Sequence, residues 1–354
     1  MIKVYTPHIT VDCFADWFGF TNVDFERCTD LSEVLAQDIK IACVPAFYNN
    51  YTDAFDHTLF DLLLLTEIEN WDVGQVRLWA EEKGIKNYLA AMCSIESPVD
   101  RPNEIYRPWW CFNLVNKNTF QESAVEPMFD FDVLLGARKC HRDFVMANLQ
   151  TKGLLDRSIV NYRDVFRGGF MEIDSVQQRT NELLNGQPLL YPYVSPNLDP
   201  AWEVREEITY NVSDIVPWQI FHRTRYSVIT ETIFQYSFFF TEKTTKAIFA
   251  KRLFVVFSSK GYLQRLRNLG FKTFSDVIDE SYDNEEDPLI RFTKAFEQIE
   301  FLSKQDYNIV NSKISSTVEH NHQRLFTLQK EIKDQMQQMV YNKLKEIKDA
   351  NSLQ

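Results

Sequence analysis

Nowhere in its 354 residues does this chain approach the roughly 18 consecutive apolar residues that a bilayer-spanning helix needs. Met1-Ile-Lys-Val-Tyr also lacks the apolar core of a secretory signal. The six cysteines, at 13, 28, 43, 93, 111 and 140, are scattered without a C-x-x-C pair, which argues against structural zinc and against a disulfide framework. Together these absences predict a cytoplasmic protein with reduced thiols. Neither G-x-x-x-x-G-K-[ST] nor G-x-G-x-x-G occurs, which counts against P-loop and dehydrogenase chemistry. Repeats and low-complexity tracts are missing as well. So is any basic excess: residues 1–125 hold 9 Lys and Arg against 19 Asp and Glu, and residues 126–354 hold 29 against 31, so most of the net charge of −12 lies in the first third. A protein gripping duplex nucleic acid normally presents a basic face, because phosphate neutralisation supplies most of the affinity.

What the chain does have is apolar material, 45% of residues and 14% aromatic, enough for about two cored domains. Ile2-Lys-Val-Tyr and Ile39-Lys-Ile-Ala-Cys-Val read as strands. Phe60-Asp-Leu-Leu-Leu-Leu-Thr66 is a continuous apolar run of the kind buried on both faces of a parallel sheet. A helix over 74–84, closed by Gly84, and a strand over 87–93 complete a β-α-β unit. Ser97 to Trp110 is rich in Pro and Trp and reads as a loop whose Tyr106, Trp109 and Trp110 plug a domain edge or stack on a ligand. A second α/β run begins at Phe129-Asp-Phe-Asp-Val-Leu-Leu-Gly136. It continues through a helix near 141–151, a strand near 158–162 and a Pro-rich surface loop over 185–200. A long helix over about 314–348 carries apolar residues at 325, 328, 332, 336, 339, 340, 344 and 347.

The most informative stretch runs from Arg223 to Asp283. It holds Arg-Tyr-Ser-Val-Ile-Thr-Glu231, then Phe239-Phe240-Thr241-Glu242-Lys243-Thr-Thr-Lys246, then Leu253-Phe-Val-Val-Phe257: two buried strands flanking a charged helix start. Thr241 is placed to cap that helix. Its free backbone N–H groups, with Lys243 and Lys246, then converge on a point suited to phosphate.

This arrangement resembles the nucleotide-sugar-binding half of fucosyltransferase-like glycosyltransferases, whose signature is an aromatic residue followed by x-Thr-Glu-Lys. The continuation from Ala250 to Phe274 is similar to enzymes of this kind common in large-phage genomes. The similarity covers roughly residues 129–285. It implies a GT-B-like α/β fold, with two Rossmann-type doubly wound domains facing a cleft: an acceptor side over 1–125, a donor side over 126–312, and a C-terminal helix over 313–354 that packs back or mediates assembly.

The resemblance further implies a GDP- or UDP-sugar donor, inverting transfer to an acceptor hydroxyl, and no required metal. The acceptor is a glycan or the hydroxymethylated base of phage DNA. On the donor side it points to Arg142 and Arg138 after a strand, Arg223, Glu231, Phe239, Glu242 for ribose, and Lys243 and Lys246 for phosphate. A catalytic base is expected after an N-terminal strand, where Glu67 and Glu69 stand. Asp130-Phe-Asp132 has the D-x-D spacing of metal–nucleotide sites, but it sits at the start of a strand, the end away from the expected cleft. His320-Asn-His322 is too closely spaced to share one face of a helix. The alternative is a non-catalytic nucleotide- or glycan-binding protein that forms homo-oligomers through the C-terminal helix.

Overall fold

The structure, a computed structural model, describes residues 2–6, 25–45, 56–66, 75–95, 102–163, 173–196, 198, 214–235 and 237–352. The chain divides into two compact units: a discontinuous one, Met1–Trp109 with Thr327–Gln354, and a central one, Trp110–Phe326. Both are α/β with parallel sheets, as the apolar runs predict.

In the discontinuous unit the strands are β1 (Ile2–Tyr5), β2 (Phe25–Cys28), β3 (Ile41–Pro45), β4 (Leu62–Thr66), β5 (Tyr88–Met92), β6 (Ser94–Ile95) and β7 (Glu104–Tyr106). Six of them form a sheet of order β2-β1-β3-β4-β5-β7, parallel throughout. Every residue of β4 and β5 is buried, which is why both read as unbroken apolar runs. Helices α1 (Leu31–Leu35) and α2 (Gln75–Glu82) lie in the connections, and Gly84 follows α2 with φ +66°, the left-handed stop that a glycine supplies. Two features differ from the sequence expectation. Glu104–Tyr106, inside the supposed Pro-rich loop, is a strand paired with Ala90–Met92, and Trp109 opens helix α3 (Trp109–Lys117). Prolines 102 and 108 bound that strand instead of excluding it.

The central unit holds β8 (Phe129–Gly136), α4 (Cys140–Thr151), β9 (Ser158–Tyr162), α5 (Asp174–Leu184), β10 (Tyr193–Val194), α6 (Trp218–Phe221), β11 (Thr224–Thr230), β12 (Phe238–Phe239), α7 (Glu242–Phe249), β13 (Phe254–Phe257), α8 (Tyr262–Asn268) and α9 (Pro288–Leu302). Its main sheet runs β10-β9-β8-β11-β13, with only the edge strand β10 antiparallel. Counted within this sheet, the order is 3-2-1-4-5. The chain steps from β8 to β9 on one side and returns to β11 on the other, so a topological switch point falls between β8 and β11.

The last helix, α10 (Tyr307–Ser352), is 46 residues long and begins earlier than its apolar pattern suggests. Asp306 caps it by accepting from the backbone N–H of Asn308 at 2.8 Å and of Ile309 at 3.2 Å. Leu325, Leu328, Ile332, Met336, Val340, Leu344 and Ile347 are all buried in the single chain, so this stripe is covered by the molecule itself. Among the described residues no helix is long and apolar enough to cross a membrane.

Candidate functional site

Ligands in open α/β sheets bind beyond the carboxyl ends of the strands, at the switch point. In the central unit two segments leave that edge side by side, one after β8 and one after β11. Gly136 ends β8 at φ +67°, a left-handed turn that a side chain would strain, and a Cβ there would lie 3.6 Å from Arg142 Nη1. The chain then enters α4, whose N-cap residue Lys139 makes no side-chain cap bond. The first turn of α4 buries His141, Arg142 and Asp143.

Their roles diverge. Asp143 accepts from Arg138 Nε at 3.0 and 3.2 Å, pairs with Arg138 Nη2 at 3.0 Å, and accepts from the Tyr162 hydroxyl at the end of β9. Burial, then the Asp143 charge, raises the Tyr162 hydroxyl far above its ordinary pKa. Arg138 also lies over the Tyr191 ring at 5.0 Å. This is a closed cluster in which the cation is already matched.

Arg142 is different. It is 4% exposed, its one hydrogen bond among the described residues runs from Nη1 to the Ala137 carbonyl at 2.5 Å, and its Nε is occluded without a partner. Among the described residues no carboxylate pairs with it. Burial pulls its pKa down to about 10, against the opposing pull of Tyr162, Glu231 and Glu242, which leaves it charged at neutral pH.

Two other buried arginines in the same unit show how the fold ordinarily handles such a charge. Arg252 donates to Ser227, Thr224, Asp132 and the carbonyls of Phe221 and Thr224. Arg291 donates to the carbonyls of Ser258, Phe234, Glu285 and Glu286. Both are satisfied by the protein, whereas Arg142 keeps most of its donors in reserve. A buried ion left unpaired costs several kcal/mol, which sets Arg142 apart from the other two.

After β11 comes Glu231, fully buried. Its Oε2 accepts from Thr241 Oγ1 at 2.5 Å and from the Thr232 N–H at 3.3 Å, and its Oε1 accepts from Thr244 Oγ1 at 2.7 Å and Tyr262 at 2.8 Å. Thr241 is also the N-cap of α7, accepting from the Lys243 N–H at 3.2 Å. In the first turn of α7, Lys243 Nζ reaches Glu242 at 2.8 Å and Thr232 Oγ1 at 2.9 Å. Burial pushes the Glu242 carboxyl up, but Lys243 and Lys246 together outweigh it and hold the group below its ordinary pKa. The two segments are tied across the switch point: His141 Nε2 donates to the Glu231 carbonyl at 3.0 Å, and Lys139 Nζ donates to the Thr232 carbonyl at 2.7 Å.

Of the residues proposed from sequence, Arg138, Arg142, Glu231, Glu242, Lys243 and Lys246 therefore gather at one edge of one sheet. Arg223 does not join them. It precedes β11 and stacks on Phe129 at 5.3 Å, at the amino end of these parallel strands, about 26 Å of extended chain from Glu231. Phe239 is 3% exposed and lies in β12, packed away from solvent. Glu67 and Glu69 lie outside the described residues.

Asp130 and Asp132 also sit at the amino end, where Asp130 pairs with Arg157 and Arg225, and Asp132 with Arg252 at 2.7 Å. Their D-x-D spacing thus reflects structural ion pairing. His320 contacts the Gly270 carbonyl at 2.9 Å, while His322 is wedged among Phe120, Phe249 and Phe326. Among the described residues no group of three or more His, Cys, Asp or Glu could hold a metal. Lys139, His141, Thr232, Thr244 and Tyr262 escaped sequence reasoning. Lys139 and His141 stood beside Arg142 in plain view after a strand, but Tyr262 reaches Glu231 across 31 residues with no local signal.

This geometry defines an α/β protein whose central sheet has a Rossmann-like order and a cationic switch point. Comparison with protein-family models, with curated proteins and with solved structures gives no match.

Proposed function

We propose that the protein is a glycosyltransferase that moves a monosaccharide from a nucleoside-diphosphate sugar to an acceptor hydroxyl, with the central unit as the donor half of a GT-B-type arrangement. The observation that carries this reading is Arg142, a buried guanidinium at the switch point with no carboxylate partner among the described residues, beside the capped start of α7. Arg142 and Lys243 hold the diphosphate, with Lys246 adding charge, and Glu242 accepts from the ribose hydroxyls. As the anomeric C–O bond breaks, negative charge grows on the departing nucleoside diphosphate, and fixed cations in a water-poor setting stabilise it.

A carboxylate of the N-terminal half, Glu67 or Glu69, takes the acceptor's proton as its oxygen attacks the anomeric carbon, which inverts that centre. The acceptor is a glycan or a hydroxymethylated base of DNA. The resemblance through Phe239 to Lys243 supports the donor class independently of Arg142.

A thermal-shift panel of UDP, GDP, CMP and their sugar conjugates tests the reading, because a ligand that binds only the folded chain raises its Tm. One nucleoside diphosphate should give a clear shift, and Arg142→Ala and Lys243→Ala should each weaken its binding at least tenfold by calorimetry. Binding unchanged in both variants would remove this site from consideration.

A further inference from the structure

Among the described residues of the central unit five acids are buried, and four of them, Asp130, Asp132, Asp143 and Asp283, sit within 4 Å of an arginine. Glu231 is the exception. Among the described residues all its hydrogen bonds come from neutral donors: the hydroxyls of Thr241, Thr244 and Tyr262 and the Thr232 N–H. A carboxylate accepts and never donates, so it dictates where those hydroxyl protons point. The Thr241 proton is drawn to Oε2, which leaves that oxygen's lone pairs for the Lys243 N–H, the bond that caps α7. Thr244, one turn into the same helix, and Tyr262, at the start of α8, converge on Oε1. Glu231 thereby fixes the position of the α7 first turn, which carries Glu242 and Lys243, without facing the ligand itself.

From this we infer that Glu231 is a positioning residue for the anion site: it acts through the Thr241 hydroxyl to orient the first turn of α7 toward a nucleoside diphosphate. The inference rests on the donor-site reading above.

The test is a double-mutant cycle on the full chain, titrated calorimetrically with GDP and with UDP, with melting curves to verify folding. Glu231→Gln is expected to weaken binding roughly tenfold and Thr241→Val about as much, because a lost N-cap hydroxyl typically shifts a helix terminus by a factor of this order. The double variant should bind no more weakly than the worse single one, since both changes break one route. Thr241→Ser should recover most of the affinity lost in Thr241→Val. Fully additive losses, or undiminished binding in Glu231→Gln, would overturn the assignment. Should Glu231→Gln not fold, equal affinities of Thr241→Ser and Thr241→Val would overturn it instead. If the parent protein binds neither nucleotide, the donor-site reading falls and this inference with it; a parent that binds while Glu231→Gln binds equally well sinks the inference alone.

Discussion

Arg142 and Arg252 are both buried arginines of the central unit, and they predict opposite responses to truncation. Arg252 neutralises Asp132, whose carboxyl burial already pushes above its ordinary pKa even with that cation in place. Arg252→Ala leaves this acid buried with the Ser227 and Thr224 hydroxyls but no counter-charge, and should destabilise the fold by about 3–5 kcal/mol in denaturant titrations. Among the described residues Arg142 neutralises no acid by contact, so its buried charge is a burden on the folded state. Arg142→Ala should therefore leave Tm unchanged or raise it, while abolishing the nucleotide-induced shift. A large drop in stability would mean that Arg142 is structural and that the anion site has been misassigned.

At the level of elements, polar stitches join α10 to the segment after α8. Asn321 both accepts from and donates to the Lys272 backbone at 2.8 Å, His320 reaches the Gly270 carbonyl, and Arg324 Nε donates to the Leu269 carbonyl at 2.7 Å. Gly270 has φ +87°, and a Cβ there would come within 2.6 Å of Arg324 Nε. Gly270→Ala should cost about 1–2 kcal/mol from the left-handed backbone alone, and more once Arg324 is displaced. Melting of Gly270→Ala beside Gly153→Ala, where φ is +67° and nothing lies within 4 Å of the added atom, separates the two contributions. Equal losses would show that the Arg324 stitch contributes nothing.

For the whole molecule, pH is the readout. Burial lowers His141 well below its ordinary pKa of 6.5, with Arg142 and Lys139 acting in the same direction. His322 is also lowered, by burial and then by Lys251, in part offset by its bond to the Phe249 carbonyl. Between each folded pKa and 6.5 the unfolded chain binds a proton that the folded chain does not. Stability from these groups is then full above pH 6.5 and declines as pH falls below it. Denaturation midpoints at pH 7.5 and 5.5 should show that decline, and His322→Gln should reduce it. An identical pH dependence in the variant would exclude His322 as a source. Carboxyls raised by burial, such as Asp132 and Asp283, work in the opposite direction. The substitution isolates the histidine because it leaves them untouched.

Much of this was legible in the order of residues. Continuous apolar runs announced β4, β5 and β13, because a strand buried on both faces is apolar nearly throughout. Thr241 announced the start of α7, and Arg142 and Lys243 could be proposed because residues that follow a parallel strand emerge at its carboxyl edge. Periodicity, caps and chain direction are local properties, so a sequence carries them directly. It could not tell which charges were already matched. Arg138, Arg142 and Arg223 look alike as cations near strands, yet the first is paired with Asp143, the last lies at the opposite edge, and only Arg142 is left open. Nor could it show that Glu231 is held by hydroxyls 10, 13 and 31 residues away, or that Arg252 meets Asp132 across 120. Whether a buried charge is free or neutralised depends on the groups that folding brings within a few ångströms, and only the tertiary structure decides which those are.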